Sequence, residues 1–177
     1  MYVSTGGYTS QLRRIIDFST NNISTYVCVA NVHMCIEAYD NKQFAEIVNR
    51  ADLVTPDGMP LAKAIKLLYG LKQDRVAGMD LLPDLLAKAE EANLRCFIYG
   101  GSDTMLEKSK SYIAEHYPTL HCGFFSPPFR ALTAEEEIAH YQMINDFGAN
   151  LVFVALGCPK QEKWMASMKG KVNACML

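Results

Sequence analysis

Asp52-Leu-Val-Thr-Pro-Asp-Gly-Met-Pro60 decides how this chain reads. A short apolar run, Leu53 and Val54, ends in Thr55. Pro56 and Gly58 then bend the backbone around Asp57, and helical spacing starts at Pro60. A strand that turns straight into a helix is the joint of a parallel α/β unit, because parallel strands need a crossover between them. Ligands of open α/β sheets bind beyond the C-terminal ends of the strands. A carboxylate fixed there by Pro and Gly suits a positioned general base. Asp is equally at home in a plain β-turn, so this stretch alone leaves both readings open.

The same joint recurs on either side. Thr9–Phe18 carries Leu12, Ile15 and Ile16 at helical spacing, with Thr9 or Ser10 as the cap. Tyr26–Ala30 reads as a buried strand, and Phe44, Ile47 and Val48 mark a helix. Leu61, Ile65 and Leu68 mark a helix that stops at Gly70, and Met79–Ala92 is another. Strand Cys96–Tyr99 runs into Gly100-Gly101-Ser102, followed by a helix through Met105, Tyr112 and Ile113. Strand Leu120–Phe125 leads into the loop Ser126-Pro-Pro-Phe129. Thr133 and Glu136 form a capping box for a helix through Phe147. Leu151–Leu156 is the clearest strand; Gly157-Cys-Pro159 turns it into a helix bearing Trp164 and Met168. Val172–Leu177 is a last apolar strand. Strands alternating with helices predict a Rossmann-like α/β fold, with a mostly parallel sheet covered on both faces. The 177 residues read as one domain, without linker, repeat or low-complexity tract.

Composition narrows the function. A net charge of −2 without a dense Lys/Arg block argues against a nucleic-acid partner. The apolar runs are too short to span a bilayer. The N-terminus lacks the basic-then-apolar pattern of a secretory signal. Six scattered cysteines, none in a Cys-x-x-Cys pair, read as buried thiols of a reducing cytoplasm. No His/Cys spacing suggests a metal site, and no Asp-x-Asp pair offers one for a nucleotide diphosphate.

Four strand ends carry polar or turn-forming residues that a parallel sheet would bring to one crevice. They are Asn31 and His33; Thr55, Asp57 and Gly58; Gly100, Gly101 and Ser102; and Gly157, Pro159, Lys160, Gln161 and Glu162. Gly100-Gly101-Ser102 before a helix suits a phosphate, since backbone N–H groups would be open at an electropositive helix N-terminus. A tight strand–helix turn explains it equally well. Lys160 and Gln161 could reach a phosphate or sugar hydroxyl, with Pro159 at the first helical position. Arg75 could meet a phosphate or pair with Asp74 or Asp80. Trp164 and Met165 sit at core spacing.

Taken together, Thr55-Pro-Asp-Gly-Met-Pro-Leu61, Arg75-Val-Ala-Gly-Met-Asp-Leu81, Tyr99-Gly-Gly-Ser102, Pro127-Pro-Phe129 and Ala155-Leu-Gly-Cys-Pro-Lys-Gln-Glu-Lys-Trp-Met165 resemble the WecG/TagA/CpsF glycosyltransferase family. The resemblance runs in order from about Asn31 to the C-terminus. It implies a bacterial inverting transferase moving a sugar, often N-acetylmannosamine, from a UDP-sugar to a polyprenyl-diphosphate-linked saccharide. Such a transferase serves cell-surface polysaccharide synthesis at the cytoplasmic face of the membrane. It makes Asp57 the catalytic base and implies substrate-binding roles at Asn31 and Gln161, with no metal or other cofactor. The remaining substrate-binding candidates are Thr55, Gly58, Arg75, Asp80, Gly100, Gly101, Ser102, Gly157, Pro159, Lys160 and Glu162.

Two departures shape further expectations. The family often places Thr two residues before its Asn, and Val29 stands there, which leaves the donor sugar open. Family members also continue past Leu177 with a basic appendage that reaches the membrane. A truncated chain with weak transfer is therefore expected, with membrane contact supplied by the appendage. An apolar sheet edge left by its loss would favour a homo-oligomer. The alternatives are a non-catalytic sugar-nucleotide-binding domain and, more remotely, a nucleotide-dependent oxidoreductase, against which the absent dinucleotide fingerprint speaks.

Overall fold

The computed structural model describes residues 1–177. In chain order the elements are α1 (Tyr8–Thr20), β1 (Thr25–Ala30), α2 (Val32–Asp40), α3 (Lys42–Asn49), β2 (Leu53–Pro56), α4 (Met59–Tyr69), α5 (Gly78–Glu91), β3 (Cys96–Gly100), α6 (Asp103–His116), β4 (Cys122–Phe125), α7 (Ala134–Phe147), β5 (Leu151–Ala155), α8 (Lys160–Met168) and β6 (Cys175–Met176). The strands form one sheet in the order β2-β1-β6-β5-β3-β4, and every pairing is parallel. This is the Rossmann-like α/β architecture that the alternation predicts.

Strand side chains alternate between two helical layers, as the two-residue period requires. Tyr26, Cys28, Val54, Phe97, Tyr99, Val152, Val154 and Met176 pack towards α2, α3, α7 and α8. Val27, Leu53, Cys96, Ile98, Leu151, Phe153 and Cys175 pack towards α1, α5 and α6. Helix α5 shows why its layer holds: Leu81, Leu85, Leu86 and Ala89 recur on one face and are all buried. Each such leucine stabilises the fold by about 1.5–3 kcal/mol. The core is thus continuous on both faces of the sheet, which explains the uninterrupted apolar strands.

Two expectations change. Helix α2 was not anticipated. Its sequence, Val-His-Met-Cys-Ile-Glu-Ala-Tyr-Asp, is rich in weak helix formers and buries only Met34 and Ala38. Asn31 starts it, its side chain accepting the Met34 N–H. Secondly, the apolar run Val172–Leu177 contributes a two-residue strand, with Val172 in an isolated bridge to Lys169. That strand lies in the middle of the sheet. Thr25 and Tyr26 pair with Cys175 and Met176 on one side, Leu151 and Val152 on the other. The sheet edges are β2 and β4. N-terminal residues cover β2: the Ser4 N–H donates to Val54 O, and the Val54 N–H to Ser4 Oγ.

Candidate active site

The first polar cluster is built on the ends of β1 and β2. The Asp57 N–H donates to Ala30 O at 2.7 Å, which ties the turn after β2 to the end of β1. Gly58 follows at φ +94°, a conformation that favours glycine, and opens α4. The chain returns to this point after α4, where the Val76 N–H donates to Pro56 O at 2.9 Å. The buried Thr55 hydroxyl donates to Val76 O at 3.3 Å, so it serves as a strut beneath the turn. Arg75 and Asp80, brought in by that return, form an ion pair beside Asp57. Partial burial raises the Asp57 pKa, Asp80 adds to the rise, and the Arg75 guanidinium opposes it. The half-buried carboxylate is thus a stronger base than a free aspartate. Asn31 is exposed on the neighbouring strand end, its carbonyl oxygen engaged as the α2 cap.

The second cluster lies where β3 and β5 adjoin. From β3 the chain moves outward to β4, and from β5 inward to β6. Such a reversal opens a crevice at the C-terminal ends of the two strands. A cavity of about 590 Å³ fills it, a size suited to a small ligand. One wall is α8, which presents Lys160, Lys163, Trp164 and Ser167; the other is the loop Pro127–Leu132. Trp164 stacks on Tyr99 with ring centroids 4.3 Å apart, and its buried indole N–H has no partner. The Tyr99 hydroxyl lies 2.8 Å from His140 Nδ1, which anchors that ring from behind. Arg130 at the rim is held by Glu136 at 2.6 and 2.7 Å.

The glycine turns do less than expected for an anion. The Gly101 N–H is already engaged by Ala155 O at 2.9 Å, and the Gly157 N–H by Gln161 Oε1 at 3.1 Å. Ser102 caps α6 through the Met105 N–H. Gly100 is needed for packing: at φ +113° its backbone passes so close to β5 that a Cβ would sit 2.5 Å from Ala155 O. Pro159, after a cis peptide bond, is the residue before the first turn of α8 rather than the first within it. Cationic side chains therefore supply the crevice's attraction for an anion.

The structure also separates what the sequence drew together. Both clusters stand on one edge of the sheet, but β2 and β5 are three strand spacings apart, about 14 Å. Gly58, Arg75 and Asp80 keep company with Asp57, while of the second group only Gly101 and Lys160 line the crevice with Trp164. Glu162 belongs to neither surface. It is 0% exposed, and neither carboxylate oxygen has a partner. Desolvation raises its pKa, favouring the neutral acid.

The model of the glycosyl transferase WecG/TagA/CpsF family matches residues 2–177. The chain belongs to that family. Among its relatives is a Bacillus spizizenii N-acetylglucosaminyldiphosphoundecaprenol N-acetyl-beta-D-mannosaminyltransferase, 29% identical over 141 residues. That match covers 80% of this chain and 53% of the relative. The Bacillus subtilis protein of the same name is 26% identical over 164 residues, covering 88% of this chain and 61% of the relative. The chain thus spans between half and two thirds of the length of these relatives.

In this WecG/TagA/CpsF chain the crevice holds residues that sequence reasoning did not assign: Lys163, Trp164, Tyr99 and the Pro127–Leu132 loop. A signal was present. Lys160, Lys163, Trp164 and Ser167 stand at i, i+3, i+4 and i+7, which is one helix face. The core spacing of Trp164 and Met165 holds in part: Met165 is buried, and Trp164 packs against the core through Tyr99 while its outer side lines the crevice. Met165 and Met168 are the buried pair of α8, while Trp164 forms a wall.

Proposed function

We propose that this chain carries out inverting transfer of N-acetylmannosamine from a UDP-sugar to polyprenyl-diphosphate-linked N-acetylglucosamine. The observation that carries the reading is Asp57, a carboxylate of raised pKa on the turn after β2, facing the Arg75–Asp80 pair. The names of the two Bacillus relatives supply the sugars.

In this reading the donor's nucleotide enters the β3–β5 crevice, with its base against Trp164 and its diphosphate towards Lys160 and Lys163. The donor spans the edge of the sheet, so its sugar lies near Asp57. The Asp57 carboxylate accepts the proton of the acceptor hydroxyl as that oxygen bonds to the anomeric carbon. The bond to the diphosphate breaks from the opposite face, its electron pair leaving with UDP, which gives inversion. Charge on the leaving group is met by lysines and the α8 N-terminus rather than by a metal. Arg75 and Asn31 orient the acceptor. No helix is long and apolar enough to cross a membrane, so a lipid-linked acceptor would be met at a membrane surface.

Calorimetric titration with UDP, with and without magnesium and with NAD as control, tests the donor half. UDP binding that ignores magnesium is the expected result. Magnesium-dependent binding, or preference for NAD, would sink the donor assignment. Product stereochemistry with a lipid-linked acceptor tests the displacement: a retained anomeric configuration would exclude it.

A further inference from the structure

Helix α4 is an excursion. The chain leaves the functional edge of the sheet at Gly58 and is tied back to it at Val76. Between these points only Leu61, Ala62 and Ile65 of the helix are buried. Its C-terminal end is strongly apolar and open: Leu67 is 86% exposed, Leu68 70%, Tyr69 72% and Leu71 48%. Gly70 in the left-handed conformation ends the helix between Tyr69 and Leu71. Exposed Lys63, Lys66 and Lys72 flank this tip along the chain, and residues 58–73 contain no carboxylate. The flanking Asp74 accepts the Tyr8 N–H, and Asp80 is paired with Arg75.

We propose that α4 and the turn after it are a docking element for an anionic lipid surface. Exposed leucines with a tyrosine, flanked by lysines, are the composition of a segment that lies in a bilayer interface. There the apolar tip enters the headgroup region and the lysines meet lipid phosphates. The absence of carboxylates removes the repulsion that an anionic surface would otherwise impose. The helix begins one residue after Asp57-Gly58, so docking holds the Asp57 corner near the lipid surface. That last consequence rests on the transferase reading; the docking does not.

Flotation of the full chain with vesicles of equal parts phosphatidylglycerol and phosphatidylcholine, beside pure phosphatidylcholine, tests this. Binding to the anionic vesicles that weakens with salt is expected. A Leu67→Ser/Leu68→Ser/Leu71→Ser variant should lose at least about tenfold in affinity. Lys63→Gln, Lys66→Gln and Lys72→Gln should each lose about fivefold and flatten the salt dependence. Circular dichroism and melting should match the parent, since these side chains are exposed. Three results overturn the proposal: no binding to anionic vesicles, variants that bind like the parent, or a dimer in sedimentation that the leucine variant abolishes while vesicle binding is absent. Vesicle binding by a chain that transfers no sugar would sink the transferase reading and leave the docking standing.

Discussion

The Asp57 corner and the β3–β5 crevice occupy the same edge of the same sheet, but they are made of different materials. The corner is charged and tightly braced: one aspartate, an Arg–Asp pair, and backbone bonds that tie the turn to β1 and to the returning chain. The crevice is aromatic and roomy, with two lysines on one face of α8 and a single carboxylate, Glu137, in its lining. Proton transfer needs a fixed group of tuned pKa, and binding needs area with a few cations. The fold divides the two tasks along its edge, about 14 Å apart.

The most severe test of that division is Asp57→Asn. Transfer should fall by roughly 10²–10⁴-fold, while UDP affinity stays at the parent level. The melting temperature should not drop. Burial holds the folded-state pKa of Asp57 above its unfolded value, so its ionisation opposes folding as pH rises, and a neutral amide removes that opposition. A parallel loss of UDP binding would show the two regions to be one.

Gly100→Ala strikes the crevice instead. The added Cβ, 2.5 Å from Ala155 O at a backbone φ of +113°, should cost on the order of 1–3 kcal/mol in urea denaturation. Nucleotide binding should weaken with it. A stable variant with intact binding would show that β3 and β5 can part without harm. Smaller effects should follow at α8. Lys160→Ala and Lys163→Ala should each weaken UDP on the order of tenfold in calorimetry, less so at high salt, with the pH profile of transfer unmoved.

The finest discrimination lies in pH. The raised pKa of Asp57 puts the acidic limb of kcat/KM above that of an ordinary carboxylate. Removing the opposing cation in Arg75→Met should move this limb to higher pH. Asp80→Asn removes a like charge and frees Arg75, so it should move the limb to lower pH. Shifts in the same direction would mean that another group controls the limb.

Much of this was legible in the sequence because the signals are local. Leu53–Pro56 with its turn, Cys96–Gly100 and Leu151–Ala155 are runs that only a buried parallel strand explains. The capping box at Thr133 and Glu136 formed as spelled. Helix α2 stayed hidden because only Met34 and Ala38 are buried, too few for a stripe. The split of the edge stayed hidden for another reason: it depends on strand order, and nothing near Asp57 or Gly100 records which strands lie between them. Core spacing accounted for the packing of Trp164 on Tyr99 but not for its second role, which Lys160, Lys163 and Ser167 on the same helix face reveal.

Strand β6 is the last of the six strands in chain order, yet it stands between β1 and β5. Synthesis therefore delivers two partial sheets, β2-β1 and β5-β3-β4, before the piece that joins them. Tyr26 waits for Met176, which follows only after every other strand. Contacts this remote form slowly, and unpaired strand flanks invite association with other chains meanwhile. A nascent polypeptide halted before Cys175 would not be a slightly impaired version of this molecule. It would be two half-sheets with exposed sides, a target for chaperones and proteases rather than for substrate.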